Sequence, residues 1–306
     1  MRWRRLIQIP ACLAMLPGLL LAGAAAAQGG ADVRVQTVAV ADGIYMLLGR
    51  GGNIGVCVGD DGVLIIDDQY APMVPKITAA VAEISDRPIK MILNTHWHRD
   101  HTGGNEPLAR AGALIVAHDN VRVRMNSRHF SAFFNSTTEP SPPEALPVVT
   151  FDSTVTFHVN GHTIHAEHVP PAHTDGDSIV FFVESNVVHM GDTFFNGLYP
   201  FIDVESGGSM IGMIAAIDGV LARIDADTKV IPGHGPLSDR QGLAAFRDML
   251  NTVAGRIQAH IDAGRGVEEV VAARPTAEFD AQWGQGFIEP DDWVSLVYRV
   301  MTHDKQ

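Results

Sequence analysis

The chain is short of cysteine, of lysine and of clustered positive charge. Two cysteines in 306 residues cannot build a disulfide scaffold. The 22 basic residues are outnumbered by 35 acidic ones, for a formal charge of −13. No basic stripe runs along any segment, which excludes nucleic acid and anionic membrane surfaces as main partners. Only Lys76, Lys90, Lys229 and Lys305 supply ammonium groups, and none stands in a motif. Low-complexity tracts are absent, and with 46% hydrophobic residues the chain is too apolar for disorder, so a buried core of ordinary size is expected.

Long apolar runs are also missing, except at the N-terminus. Met1 to Arg5 carries three arginines, Leu6 to Gly23 is mostly apolar, and Ala24 to Ala27 supplies small residues before Gln28, the order of a secretory signal. Gln8, Pro10 and Pro17 interrupt the stretch and argue against an uncleaved membrane anchor. Residues 1–27 are therefore expected to be a signal peptide and residues 28–306 one mature domain, periplasmic or secreted, with no stable membrane partner after cleavage. Removal takes away three arginines and no acid, so the mature chain is more acidic still. Cys12 leaves with the signal. Cys57, in the apolar run Ile54 to Val58, reads as a core residue.

Along the mature chain, Val33 to Val40, Gly43 to Leu48, Asn53 to Val58 and Val63 to Asp67 are short β-rich runs parted by Asp-Gly or Gly-Gly turns, the pattern of antiparallel hairpins. Val74 to Ile84 has helical spacing, Ile89 to Leu93 reads as a strand, Asn105 to Ala111 as a short helix and Ala113 to Ala117 as a strand. Arg128 to Pro147, aromatic and proline-bearing, reads as a long surface loop. Strands resume at Val155 to Val159, Thr163 to His168, Ser178 to Val183 and Val187 to Met190. A helix follows near Met210 to Ile224, then a strand at Lys229 to Ile231 and helices at Asp239 to Ile261 and Asp292 to Met301. These elements predict one α/β domain of two β-then-α halves, a four-layer αββα sandwich with mixed, mostly antiparallel sheets inside.

Fourteen histidines stand against the scarcities. The strand Ile89 to Leu93 runs into Asn94-Thr95-His96-Trp97-His98-Arg99-Asp100-His101-Thr102-Gly103-Gly104. Two imidazoles two residues apart share one face of an extended segment, and Asp100 and His101 follow as the chain turns. Neutral imidazole with carboxylate suits zinc or a similar first-row ion. One loop cannot complete such a site. His173 in Pro170-Pro171-Ala172-His173-Thr174-Asp175-Gly176-Asp177-Ser178, Asp192 in Gly191-Asp192-Thr193 and His234 in Pro232-Gly233-His234-Gly235 each follow a strand, where binding groups collect.

In that order these motifs resemble the metallo-β-lactamase-fold superfamily, over the whole mature chain. The resemblance implies one metal held by His96, His98 and His173, a second by Asp100, His101 and His234, and Asp192 bridging them. It thus implies a dinuclear hydrolase, two Zn²⁺ per chain with Fe or Mn as alternatives, in which a bridging hydroxide attacks an amide or ester type bond of a small-molecule substrate. Asp100, beside the water, is the expected proton acceptor as well as a ligand.

The leading substrate expected is a β-lactam, since metallo-β-lactamases are also exported. Departures from that subgroup are Asp192 where some members have cysteine, and Thr193 to Asn196 where many have a lysine. The stretch Phe194 to Phe201, with Asp203 and Ser206 to Ser209, resembles the exported sulfur-oxidation and quinoprotein-relay branch. Lactonase, thioesterase and phosphodiesterase activities, an iron-dependent oxidoreductase, and a non-catalytic periplasmic metal-binding protein are the alternatives. Glutathione thioesters and tRNA are cytosolic, which disfavours glyoxalase II-like and tRNA-processing activities for an exported chain.

Other groups have two open readings. Trp97 and the Phe194 to Phe201 stretch either wall a pocket for a mostly apolar substrate or pack a loop. Arg99 either receives an anionic substrate or is a solvent-exposed position. Asp67 bonds a ligand histidine or does not, and His189 either supports Asp192 from behind or is a satisfied core histidine. His162, His165 and His168 read as surface or supporting groups. His118, His129, His158, His260 and His303 carry no expectation.

Overall fold

The computed structural model describes residues 33–303, and the expected signal peptide lies outside the described residues. The first four strands, β1 (Gln36–Ala41), β2 (Ile44–Leu48), β3 (Ile54–Cys57) and β4 (Val63–Ile66), form an antiparallel meander. Helix α1 (Val74–Ala82) carries the chain back to β5 (Ile89–Asn94), which pairs parallel with β4. Two short helices, α2 (Arg99–Thr102) and α3 (Asn105–Arg110), lead to β6 (Leu114–His118), parallel to β5. Parallel neighbours need such helical crossovers, because a tight turn can only reverse the chain.

After α4 (Asp119–Met125), a separate hairpin of β7 (His129–Ser131) and β8 (Ser136–Thr138) precedes β9 (Val149–Phe151), which completes a seven-stranded sheet beside β6. The second sheet runs in chain order through β10 (Thr154–Val159), β11 (His162–His168), β12 (Ser178–Phe182), β13 (Val187–His189), β14 (Lys229–Ile231) and β15 (Ser238–Asp239). Helix α5 (Met210–Leu221) joins β13 to β14, and α6 (Arg240–Asp262), α7 (Val267–Ala272), α8 (Asp280–Trp283) and α9 (Pro290–His303) close the chain.

The expected four layers are present. Leu47, Ile65, Ile77 and Val81 pack α1 on the outer face of the first sheet. Met46, Leu64, Val116, Val180, Phe182 and Ile231 fill the space between the sheets. Val188, Phe194, Phe246 and Trp293 join the second sheet to α5, α6 and α9. Central strands β3 and β4 are buried on both faces, hence their unbroken apolar runs, whereas β10 alternates exposed and partly buried residues as a strand with one wet face does. Cys57 is buried between the sheets as expected, and burial pushes its thiol pKa up.

Several details depart from the sequence reading, among them the short elements α2, β9 and β15, which it does not contain. Residues 128–147 are not an irregular loop: they hold the β7–β8 hairpin and a 3-10 turn at Pro143–Ala145. Strands of three residues carry too little alternation to register as a pattern. Helix α4 was not expected because Asp-Asn-Val-Arg-Val-Arg-Met alternates like a strand; the His118 ring, accepting from Asn120 N–H at 3.2 Å, caps it instead. Helices α7 and α8 were likewise unread, each being shorter than two turns.

Phe182 is fully buried between the sheets. Phe182→Ala should destabilise the protein by about 3–5 kcal/mol, read as a lower urea midpoint with unchanged slope.

Candidate metal centre

The parallel pairings of β4 with β5 and of β13 with β14 bring several carboxyl-terminal strand ends to one edge of the molecule, the usual place for a site in an α/β sheet. Asp67, just past β4 and fully buried, accepts the Thr95 backbone N–H at 2.7 Å and the Thr95 hydroxyl at 2.8 Å. The Thr95 oxygen is then left to accept from His96 Nδ1–H, 3.0 Å away. Asp67 also takes the Nδ1–H of His101 at 2.8 Å. His98 stands in extended conformation before α2, and the helical turn that follows swings Asp100 and His101 toward the same point.

The other ligands come from the second half. Asp177 folds the turn that carries His173, accepting the N–H groups of His173 and Thr174 at 2.7 and 2.9 Å and the Thr174 hydroxyl at 2.5 Å. Phe201 accepts His173 Nδ1–H at 2.7 Å through its carbonyl, and Asp203 accepts His98 Nε2–H at 2.9 Å. Asp192 sits in a 3-10 turn after β13, and His234 follows β14 with its ring stacked on Phe195 at 5.1 Å.

All seven sequence-proposed ligands meet. His96, His98, His173 and Asp192 form one group, and Asp100, His101 and His234 another, with the ligating atoms of each within 4.8 Å of one another. The Asp192 carboxylate lies between them: Oδ2 is 3.5 Å from His173 Nε2 and 3.4 Å from His234 Nε2, and Oδ1 is 3.1 Å from His101 Nε2. Asp100 Oδ2 is 3.3 Å from His234 Nε2.

These residues fit divalent cations. In each ring whose far nitrogen donates outward, the near nitrogen is left as a lone pair facing its neighbours, as His98 Nδ1 and His173 Nε2 do at 2.8 Å. Facing lone pairs repel unless a cation lies between them. His96 Nε2 is buried without a hydrogen-bond partner, which is costly for a group of this polarity. Five imidazoles and two carboxylates are a nitrogen and oxygen donor set suited to first-row divalent ions.

Without cations, protons take over part of this compensation. Burial opposes charge on His234, but Asp192 and Asp100 outweigh it and push its pKa up to about 9. His101 is likewise raised, burial being overcome by Asp192, Asp100 and Asp67. Burial would raise Asp100, yet His101 and His234 hold it at about 2, and Asp192 is held well below the carboxylate range by His101, His234 and His96 against the same burial. Burial lowers His173 to about 4 and keeps His96 neutral well below the usual range.

His98, Asp100, His173, Asp192 and His234 floor a cleft of about 560 Å³, and His96 and His101 are buried behind them. Trp97, Phe195 and Phe201 line it, while Phe194 and Tyr199 are core residues, so the aromatic stretch divides between the two readings given to it. Arg99 is exposed at the cleft and donates to the Glu139 carbonyl at 3.3 Å. His189 is fully buried, accepts Gly191 N–H at 3.2 Å and lies 3.2 Å from the Asn53 carbonyl, so it is satisfied and also braces the turn before Asp192. His168 stacks on His118 at 3.7 Å, and His162 and His165 bond Ser185 and Thr156; none of the three touches a ligand. Sequence reasoning missed the bond from His98 to Asp203, and it missed His129, which lines the cleft and packs against Trp97 at 4.8 Å. Spacing could not find them, because both lie far along the chain from the histidine they serve or the ring they touch.

A family model described as the metallo-beta-lactamase superfamily matches residues 47–239. The chain belongs to the metallo-beta-lactamase superfamily. It is similar to a hydroxyacylglutathione hydrolase of Polaromonas sp., 28% identical over 187 residues that cover 60% of this chain and 62% of the relative. The chain thus spans less than two thirds of that protein's length. A hydroxyacylglutathione hydrolase of Rhodospirillum rubrum is 28% identical over 243 residues, 79% of this chain and 80% of its own. Among solved structures, a metallo-beta-lactamase from Pontibacter korlensis aligns with a TM-score of 0.58 at 18% identity, over 71% of this chain and 99% of that one, a likeness of fold.

Asp67→Ala removes an acceptor that serves ligands of both groups, and cation affinity should fall about 10–100-fold in competition with a chromophoric chelator. The raised His234 pKa sets a pH dependence. In the cation-free protein its stabilising contribution is fully present below the usual 6.5 and is lost as pH rises through about 9. Thermal melts of the cation-free protein should therefore fall across that window, while cation affinity, which requires the proton to leave, should rise.

Proposed function

We propose that the chain uses two divalent cations, zinc first among them, to hydrolyse an acyl bond of a small molecule. The observation that carries this reading is the Asp192 carboxylate shared between two ligand groups at the floor of an open cleft. A purely structural zinc site is usually closed. His96, His98 and His173 would hold one cation, Asp100, His101 and His234 the other, and Asp192 both. Cations bound there supply Lewis acidity, which makes water nucleophilic near neutral pH and polarises a carbonyl oxygen.

The chain's own groups do the rest. Asp100 is ionised at any pH where the histidines can ligate and is partly exposed to the cleft, so it accepts a hydrogen bond from the attacking water, orients it and takes its proton. Trp97, Phe195 and Phe201 exclude bulk water from the floor. Asp203 and the Phe201 carbonyl keep His98 and His173 in one tautomer each.

A β-lactam amide is the specific substrate we place first. Arg50 and Arg99 are the cationic side chains lining the cleft, neither with a carboxylate partner among the described residues, and they suit the carboxylate of such a substrate. A thioester is the second reading, favoured by relatives named hydroxyacylglutathione hydrolase and by Asp192 in place of cysteine. Export to the periplasm or exterior, with loss of residues 1–27, belongs to the same proposal.

Metal analysis of the purified mature protein should find two cations per chain, and a panel of β-lactams, lactones, thioesters and phosphodiesters should find turnover of an acyl substrate. His96→Ala and Asp192→Ala should each lower kcat/KM at least about a hundredfold. Turnover of nothing on the panel by a protein holding both cations refutes the hydrolase reading, and full activity with full metal content in His234→Ala refutes the second ligand group.

A further inference from the structure

The cleft has a second chemistry above its polar floor. Among the described residues, the large aromatic side chains more than a third exposed are Tyr70 at 37%, Phe130 at 53%, Phe134 at 50% and Phe287 at 56%, and all four line this one cleft. The exposed aliphatic residues, such as Val123, Val148 and Ile211, do not line it. Exposed aromatics scattered singly would need no explanation, whereas a convergent set does.

The four come from separate parts of the chain. Tyr70 follows β4, Phe130 lies in β7, Phe134 in the β7–β8 turn, and Phe287 in the segment between α8 and α9. Their convergence is therefore a property of the tertiary structure. The wall is continuous with the floor: Phe134 packs on Phe201 at 5.0 Å, and Phe201 lies 5.9 Å from His98 and 6.0 Å from His173. The hairpin bearing Phe130 and Phe134 is also held in place. His129 Nε2–H donates to the Arg124 carbonyl at 2.9 Å, its ring packs on Trp97, and Arg99 donates to the Glu139 carbonyl just beyond β8. An aromatic surface so fixed loses little entropy when a ligand covers it.

We infer that the substrate is an amphiphilic acyl compound whose scissile carbonyl meets the His/Asp floor while an apolar chain or ring system lies along Phe130, Phe134 and Phe287. The inference rests on the hydrolase reading above and narrows it. A volume of about 560 Å³ accommodates such a body together with the reacting group. Phe130 and Phe134 are positioning residues for the non-reacting part of the substrate and touch no group that changes bonding.

The test uses the metal-loaded mature protein and a series of thioesters or esters with one leaving group and acetyl, butyryl, octanoyl or phenylacetyl acyl parts. Octanoyl and phenylacetyl substrates should exceed acetyl in kcat/KM by about tenfold or more, chiefly through KM. The double variant Phe130→Ser, Phe134→Ser should cancel most of that ratio while its circular dichroism is unchanged. A flat dependence on the acyl part, or a ratio that survives in the double variant, overturns the inference and leaves the hydrolase reading standing. Failure to hydrolyse any acyl part removes esters and thioesters as substrates and leaves the β-lactam reading standing. Binding of anilinonaphthalene sulfonate then decides the apolar wall: a saturable site in the parent lost in the double variant supports it, and equal binding in both overturns it. A dimer that dissociates in the double variant, with no preference for apolar acyl parts, makes the aromatic rim an interface between copies and also overturns the inference.

Discussion

Imidazoles can turn their unprotonated nitrogens toward a common point only if something fixes the opposite nitrogen of each ring, and the buried carboxylate of Asp67 does this for both ligand groups. It takes His101 Nδ1–H directly and reaches His96 through the Thr95 hydroxyl, while the Thr95 backbone N–H completes its coordination. A fully buried carboxylate costs several kcal/mol unless such bonds compensate it. Compensation is local and complete here, which makes the position of β4 relative to β5 and α2 a condition of the site. The second half repeats the device with different groups. The Phe201 carbonyl and Asp203 fix His173 and His98, and the backbone N–H of Asp203 donates to the His173 carbonyl at 2.9 Å.

Crowding explains two glycines beside the ligands. A Cβ at Gly52 would fall within the His101 ring, and one at Gly233 would meet Asp192 Oδ1. Backbone approaches the ligands as closely as it can, so the floor is rigid from both the side-chain and the main-chain side. Asn53 extends that rigidity across the sandwich, its side-chain amide donating to the carbonyls of Pro232 and Gly235 on either side of His234. The residue that leads into β3 of the first sheet thereby braces the loop that carries His234 after β14 of the second.

The meeting of the seven candidate ligands was legible in the sequence because each follows a strand in a short motif whose residue types have few other uses together. His-x-His-x-Asp-His needs no tertiary information to be recognised as a donor cluster. Layer order was legible for a similar reason: runs such as Val63 to Ile66 are apolar on both faces, and only an inner sheet buries both. What stayed hidden is tertiary. Asp203 reaches His98 across 105 positions of sequence, and no spacing rule connects them. The hairpin at 129–138 has strands too short to show alternation, and its aromatics read as loop residues because nothing in the sequence says that Tyr70 and Phe287 will face them. Asp67 was visible as an acid ending an apolar strand, but whether it met a histidine depended on the turn after β5.

Floor and rim are thus built under different constraints. Every floor residue is tied to the core: Asp192 and His234 follow inner strands of the second sheet, His96 follows β5, and each is packed or bonded on more than one side. A change there disturbs buried charge, where single substitutions cost most. Phe130, Phe134 and Phe287 are half exposed on a two-stranded hairpin and an interhelical segment, where substitution removes little packing and leaves the metal ligands untouched. Stability and chemistry therefore constrain the floor together, while the rim is constrained mainly by what it binds. Under the hydrolase reading proposed above, alterations confined to the hairpin would redirect the cleft from one acyl substrate to another at little cost in folding free energy, with the five histidines and two aspartates unchanged.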